Sequence, residues 1–262
     1  MTARKTILRL LWLIVLAGII GLSDGQAYSQ GLYWEQTVTV SMMGRANEMH
    51  TKGYLRPMKM RTVSDEENKG MIIRSDREII YILSMKDKTY SEMTFKEFEG
   101  QMSKATEQMT RMQKKLDEMP PEQRKMMEGM MKGMMGGDKE YELKKTGEKK
   151  SVAGYSCEKV VMNEGDKEVG EFWVTKQLGS MKDFAKDWSK LMDKMTQGPI
   201  AKMYRKLAEL DGFAMESKMG GVTTVTTKLE KRAITDDMFE LPSGYKKVEM
   251  EKMPEMHEMN ED

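Results

Sequence analysis

The feature that most constrains this chain is a change in the period of its apolar residues. From Tyr33 to Met93 they tend to recur every second residue, and from Thr94 every third or fourth. A period of two sends side chains to alternate faces of a strand, whereas 3.6 gathers them on one stripe of a helix. In residues 33–42, Trp34, Val38, Val40 and Met42 share one face, with Gln36 as the exception. Glu35, Thr37, Thr39 and Ser41 take the other face. Residues 48–62 continue in kind, with Tyr54, Met58 and Met60 on one face and Pro57 marking an edge or a bulge. Asp65 to Asn68 reads as a turn, and 71–75, 78–85 and 89–93 as further strands. Five strands with short links predict an antiparallel meander.

The helical stretch opens on a capping box, Thr94 with Glu97. Phe95, Phe98, Met102, Ala105, Met109, Met112 and Leu116 then form one apolar seam, ended by Pro120-Pro121. A second helix, 121–135, carries three Met-Met pairs and stops at Gly136-Gly137. Strand signals return at about 140–146, 151–162 and 168–175. A third helix starts at Ser180, is broken by Gly198-Pro199, and gives way to a short fourth helix and a last hairpin, 212–219 with 222–234, around Gly220-Gly221. Phe239 and Leu241 can dock the following segment, while 250–262 reads as a disordered, methionine-rich acidic tail. The expected fold is α+β: a curved antiparallel half-barrel of about nine strands, its concave face covered by inserted helices.

The first 29 residues read as a cleaved signal peptide. Arg4, Lys5 and Arg9 precede an apolar run from Leu10 to Ile20, too short for a comfortable span. Cleavage is expected after Ala27 or Ser29, and no Cys stands near the junction to make a lipobox. The domain organisation is then 1–29 signal, 30–249 α+β domain with a helical insert at 94–137, and 250–262 tail. Export to the periplasm follows, with no other stretch apolar enough to span a bilayer.

Composition excludes several classes of function. Lys plus Arg number 43 and Asp plus Glu 42, so the basic surplus that a nucleic-acid partner needs is missing. One Cys and two His leave no cysteine cluster and no histidine centre. Gly21-Leu22-Ser23-Asp24-Gly25 spells a nucleophile elbow, but it lies at the end of the signal peptide without strand or helix context. Cys157, in an alternating strand, reads as a small buried hydrophobe. No enzyme chemistry and no cofactor is expected.

Four phrases carry a family resemblance: YILSMKDKTYSEM (81–93), SVAGYSCEKVVM (151–162), EFWVTKQLG (171–179) and ITDDMFELPSGYKKVEM (234–250). Over about residues 33–249 the chain resembles the LolA/LolB-like superfamily of periplasmic lipoprotein carriers, and more closely an uncharacterised exported branch known as a domain of unknown function. The resemblance implies a curved antiparallel sheet, covered by helices and enclosing an apolar cavity. In LolA an Arg on the sheet works with the helix lid; no counterpart is placed here, so lipoprotein carriage is not carried over.

Two binding readings follow. Apolar cavities suit acyl chains, and unbranched, polarisable methionine adapts to varied shapes. Trp34, Val38, Val40, Met42, Tyr54, Met58, Met60, Phe98, Met102 and Met109 are the cavity candidates, against plain core packing for each. The expected partner is an apolar small molecule or lipid. The alternative is soft-metal binding, since thioethers select Cu(I) or Ag(I). The tail offers Met250, Met253, Met256 and Met259 at a spacing of three, with His257 among them. A purely structural role is the third reading.

Overall fold

The computed structural model describes residues 30–42, 45–101, 103, 140–178 and 198–249. Twelve strands among them form one sheet: β1 Gln30–Met42, β2 Arg45–Arg56, β3 Lys59–Ser64, β4 Lys69–Arg74, β5 Ile79–Ser84, β6 Thr89–Thr94, β7 Tyr141–Val152, β8 Tyr155–Glu164, β9 Lys167–Thr175, β10 Phe213–Met219, β11 Val222–Ala233 and β12 Lys246–Lys247. The strand order is β12-β6-β5-β4-β3-β2-β1-β11-β10-β9-β8-β7. Two antiparallel meanders, β1 to β6 and β7 to β11, are thus joined where β1 pairs with β11. The only parallel pair among the described residues is β12 on β6. The result is a mostly antiparallel, open, curved sheet. Helix α1 begins at 95 and α2 is Gly198–Leu207.

The count of twelve corrects the expected nine: residues 48–62 divide and β12 adds a strand, while the split within 151–162 moves a boundary without adding one. Residues 48–62 are two strands, because Pro57-Met58 makes a tight turn with Met58 at φ 60°. Residues 151–162 are split by Ala153-Gly154, both at positive φ, the pairing that matches the twist of a hairpin. Gly198-Pro199 starts a helix, since proline suits the first helical turn, and the helix expected before it lies outside the described residues. The hairpin at Gly220-Gly221 is as expected, with φ 59° and 79°. The capping box is also present: the Glu97 carboxylate accepts from the Thr94 N–H at 2.7 Å, and Thr94 Oγ1 accepts from the Glu97 N–H at 3.1 Å.

Both faces of the first meander are covered. On one, Leu32, Leu55, Met60, Ile73, Ile80 and Met93 stand opposite one another in turn from β1 to β6, an unbroken apolar ladder. Phe95 and Phe98 of α1 and Tyr204 and Leu207 of α2 belong to the same buried cluster. On the other face, Ile72, Tyr81 and Leu83 pack under Ile234 and Phe239. This strap, 234–241, crosses the strands and is pinned by basic residues. Arg56 donates to the Ile234 carbonyl at 3.0 Å, Arg61 to that of Met238 at 3.0 Å, and Lys59 pairs with Asp236 at 2.7 Å. Arg74, 3% exposed, is shared between Asp76 and Glu240.

Candidate ligand-binding face

The ladder face is built around Trp34. Its indole lies over Gly53 on the neighbouring strand, so close that a Cβ there would stand 1.8 Å from Cζ2. Glycine is therefore required at 53, and the bare backbone lets the ring lie flat across β2. Phe213 meets the indole edge at 6.3 Å between centroids. Farther along β1, Val38 and Val40 join Met49 and Val222 in a second, smaller buried cluster. The register puts all of these on one face, since Val38 is opposite Met49 and Val40 opposite Val222.

Of the residues singled out in the sequence, Trp34, Val38, Val40 and Met60 lie buried on this face, and Phe98 is buried in the cluster against it. Met42 closes β1 opposite Arg45. Two placements are corrected. Tyr54 faces the other way, packing with the Ile72 and Phe239 cluster, its ring tilted at 50° to that of Tyr33 with centroids 5.2 Å apart, because Gly53 takes the position opposite Trp34. Met58 sits in the turn and is 39% exposed, because the alternation that grouped it with Met60 is broken at Pro57. Met102, Met109, Met250, Met253, Met256, His257 and Met259 lie outside the residues whose side chains are described.

Sequence reasoning missed Met71, Gly53 and a set of polar residues on the ladder face. Gln36, Thr51, Thr62 and Thr226 are all buried there. The signal for Gln36 was present as the break in the β1 alternation. The threonines gave none, since threonine in a strand reads as an ordinary β-former.

Elsewhere, side chains fall into structural roles. Cys157 is buried, its Sγ donating to the Tyr155 carbonyl at 3.4 Å, and burial pushes its thiol up, which keeps it protonated and unreactive. Tyr204 is buried in the core, and that burial pushes its phenol up to about 12. Trp173 receives the Lys150 ammonium over its ring at 4.2 Å and donates to Glu171 at 2.9 Å. A cleft of about 290 Å³ opens between β7 and α2, lined by Glu140, Tyr141, Lys202, Arg205, Lys206 and Glu209. It is charged and lies at the edge of the sheet, unlike the apolar ladder face. Among the described residues no group of three His, Cys, Asp or Glu could hold a metal ion. Nor is any helix among them long and apolar enough to cross a membrane.

Residues 113–245 match the family described as a domain of unknown function, DUF4412. No curated protein matches the chain. Among solved structures, PNGF-II is 14% identical, over 84% of this chain and 31% of its own, with a TM-score of 0.36. A chain of the MucA/MucB complex of Pseudomonas aeruginosa is 10% identical, over 81% and 56%, with a TM-score of 0.38. A LolA superfamily protein from Nitrosomonas europaea is 6% identical, over 82% and 92%, with a TM-score of 0.31. The chain thus spans less than a third of PNGF-II and little over half of the MucA/MucB chain.

Proposed function

From the premise that this chain belongs to the DUF4412 family, a domain of unknown function, we propose that it is an exported, non-catalytic binding protein for a lipid or other apolar ligand. The ligand lies between the ladder face of the sheet and the helices that pack on it. The observation that carries this reading is the ladder itself, continuous from Leu32 on β1 to Met93 on β6. It offers an apolar surface the width of six strands. Met60, Met71 and Met93 on that surface can adjust rotamers to chains of different shape at little cost. Burial of acyl chain supplies the affinity, about 0.8 kcal/mol per CH₂ before entropic costs. The periplasmic location rests on the basic and apolar character of residues 1–29, with cleavage after Ala27 or Ser29.

Native mass spectrometry of the mature protein, purified from the periplasm without detergent, tests the reading. The expected result is an added mass matching a phospholipid or acyl chain. A bare polypeptide that stays bare after phospholipid and fatty acid are offered would overturn it. If that bare protein instead gained a copper mass with Cu(I), the function would move to the thioethers of the tail.

A further inference from the structure

The ladder face holds polar groups that an apolar ligand alone leaves unused. Gln36 on β1 stands opposite Thr51 on β2 and Thr226 on β11, so three polar side chains form a row across the sheet. Trp34 is the next residue of that face on β1, and Thr62 on β3 is opposite Gly53, which is opposite Trp34. The four residues Trp34, Thr226, Thr51 and Thr62 are 0%, 1%, 3% and 5% exposed. Among the described residues, the indole Nε1 of Trp34 and the hydroxyls of Thr51, Thr62 and Thr226 have no hydrogen-bond partner. Buried donors and hydroxyls are nearly always satisfied, and each of these is costly to leave unmet. The four stand in a row on the adjacent strands β11, β1, β2 and β3, without a counterpart among the described residues.

The surroundings give that counterpart a shape. On β1 the polar pair Trp34 and Gln36 separates Leu32 from Val38 and Val40. On β2 Thr51 separates Leu55 from Met49. The band therefore runs between the ladder cluster on one side and the Val38, Val40, Met49 and Val222 cluster on the other. The chemistry of the donors narrows the group. An indole N–H only donates, and a threonine hydroxyl donates or accepts, so the missing partner must present an acceptor. No side chain of the band carries a charge, so a carboxylate or phosphate buried there would be uncompensated, whereas a neutral carbonyl would not.

Resting on the ligand-binding reading above, we propose that the ligand carries an uncharged carbonyl, of an ester or an amide, between two apolar arms. Trp34 Nε1, whose ring lies over Gly53, and the hydroxyls of Thr51 and Thr62 beside it hold the carbonyl, and each arm lies on one apolar cluster.

The test uses the mature full chain and dodecyl dodecanoate labelled with carbon-13 at the carbonyl, delivered from cyclodextrin. An alkane of the same chain length, dodecanoate, and the corresponding secondary amide form parallel arms. The expected result is preferential binding of ester or amide over alkane and dodecanoate, with the infrared carbonyl stretch of the bound ester lowered by hydrogen bonding. The ester and amide arms then decide between the two sources of the carbonyl. In a Thr51→Val, Thr62→Val double variant the preference over alkane should fall about fivefold, for loss of about one net hydrogen bond. Its carbonyl stretch should move back toward the value in hydrocarbon, and the ligand-free Tm should hold or rise. Trp34→Phe, which keeps a ring and removes the donor, should move the stretch the same way. Equal binding of ester and alkane, stronger binding of dodecanoate, or an unshifted stretch would overturn the proposal alone. So would valine variants that lower Tm while leaving the preference intact. Failure of both ester and alkane to bind would instead overturn the apolar-ligand reading beneath it.

Discussion

At the residue scale, single side chains here are understood by what lies opposite them in the register. Gly53 is held by the indole of Trp34, so Gly53→Ala should cost about 3 kcal/mol through overpacking, read as a lower urea midpoint with unchanged slope. An unchanged midpoint would mean that the ring moves aside freely. Arg74 contributes to the acid limb of stability. Its hydrogen bond holds the Asp76 carboxyl below the usual range. At Glu240 burial pulls upward, but the hydrogen bonds from Arg74 and Arg77 outweigh it, and the carboxyl is again lowered. A carboxylate lowered in the folded state stabilises above its unfolded value of about 4 and loses that contribution as pH falls through the folded value. Melting temperature should therefore drop between about pH 5 and pH 2, and Glu240→Gln should flatten part of that drop while lowering Tm at pH 7. A variant whose acid limb parallels the parent's would remove Glu240 from this account. Of these residues the sequence showed Trp34 and the anomaly at Gln36. It did not show Gly53 as obligatory, because the cause is a ring on a different strand.

At the element scale, the strap shows how a segment with little regular structure can act as part of the core. The residues 236–239 form one 3-10 turn, and Phe239 is fully buried against Ile72, Tyr81 and Leu83. Phe239→Ala should destabilise by about 4 kcal/mol, the range for emptying a buried aromatic site, and chemical denaturation would measure it. A loss below about 1 kcal/mol would mean that the strap is an ornament on a self-sufficient sheet. The docking of Phe239 was legible from an aromatic among polar neighbours. So were the capping box at Thr94 and the hairpin at Gly220-Gly221, since each depends on groups within three or four residues. The turn at Pro57-Met58 was not, because proline in a strand pattern equally marks an edge, a bulge or a break. That one turn moved Met58 to the surface and placed Met60 opposite Leu55, on the face away from Tyr54.

At the scale of the whole molecule, two meanders become one sheet through the pairing of β1 with β11, residues about 190 positions apart, as in Glu35 with Lys228. That pairing creates the candidate site, since it brings Thr226 beside Gln36 and Val222 beside Val40. The sequence by itself determined the elements: alternation named the faces of each strand, glycine and proline named most turns, and the switch to a helical period placed the first helix. It also determined the scarcity of histidine and cysteine, which turned the reading away from catalysis and toward binding. Only the tertiary structure decided which strands are neighbours, and with them the apolar ladder and the buried polar band. The physical reason is range. Side-chain period and turn chemistry act within a few residues, whereas strand order and register are set by pairings between distant segments, which no local pattern encodes.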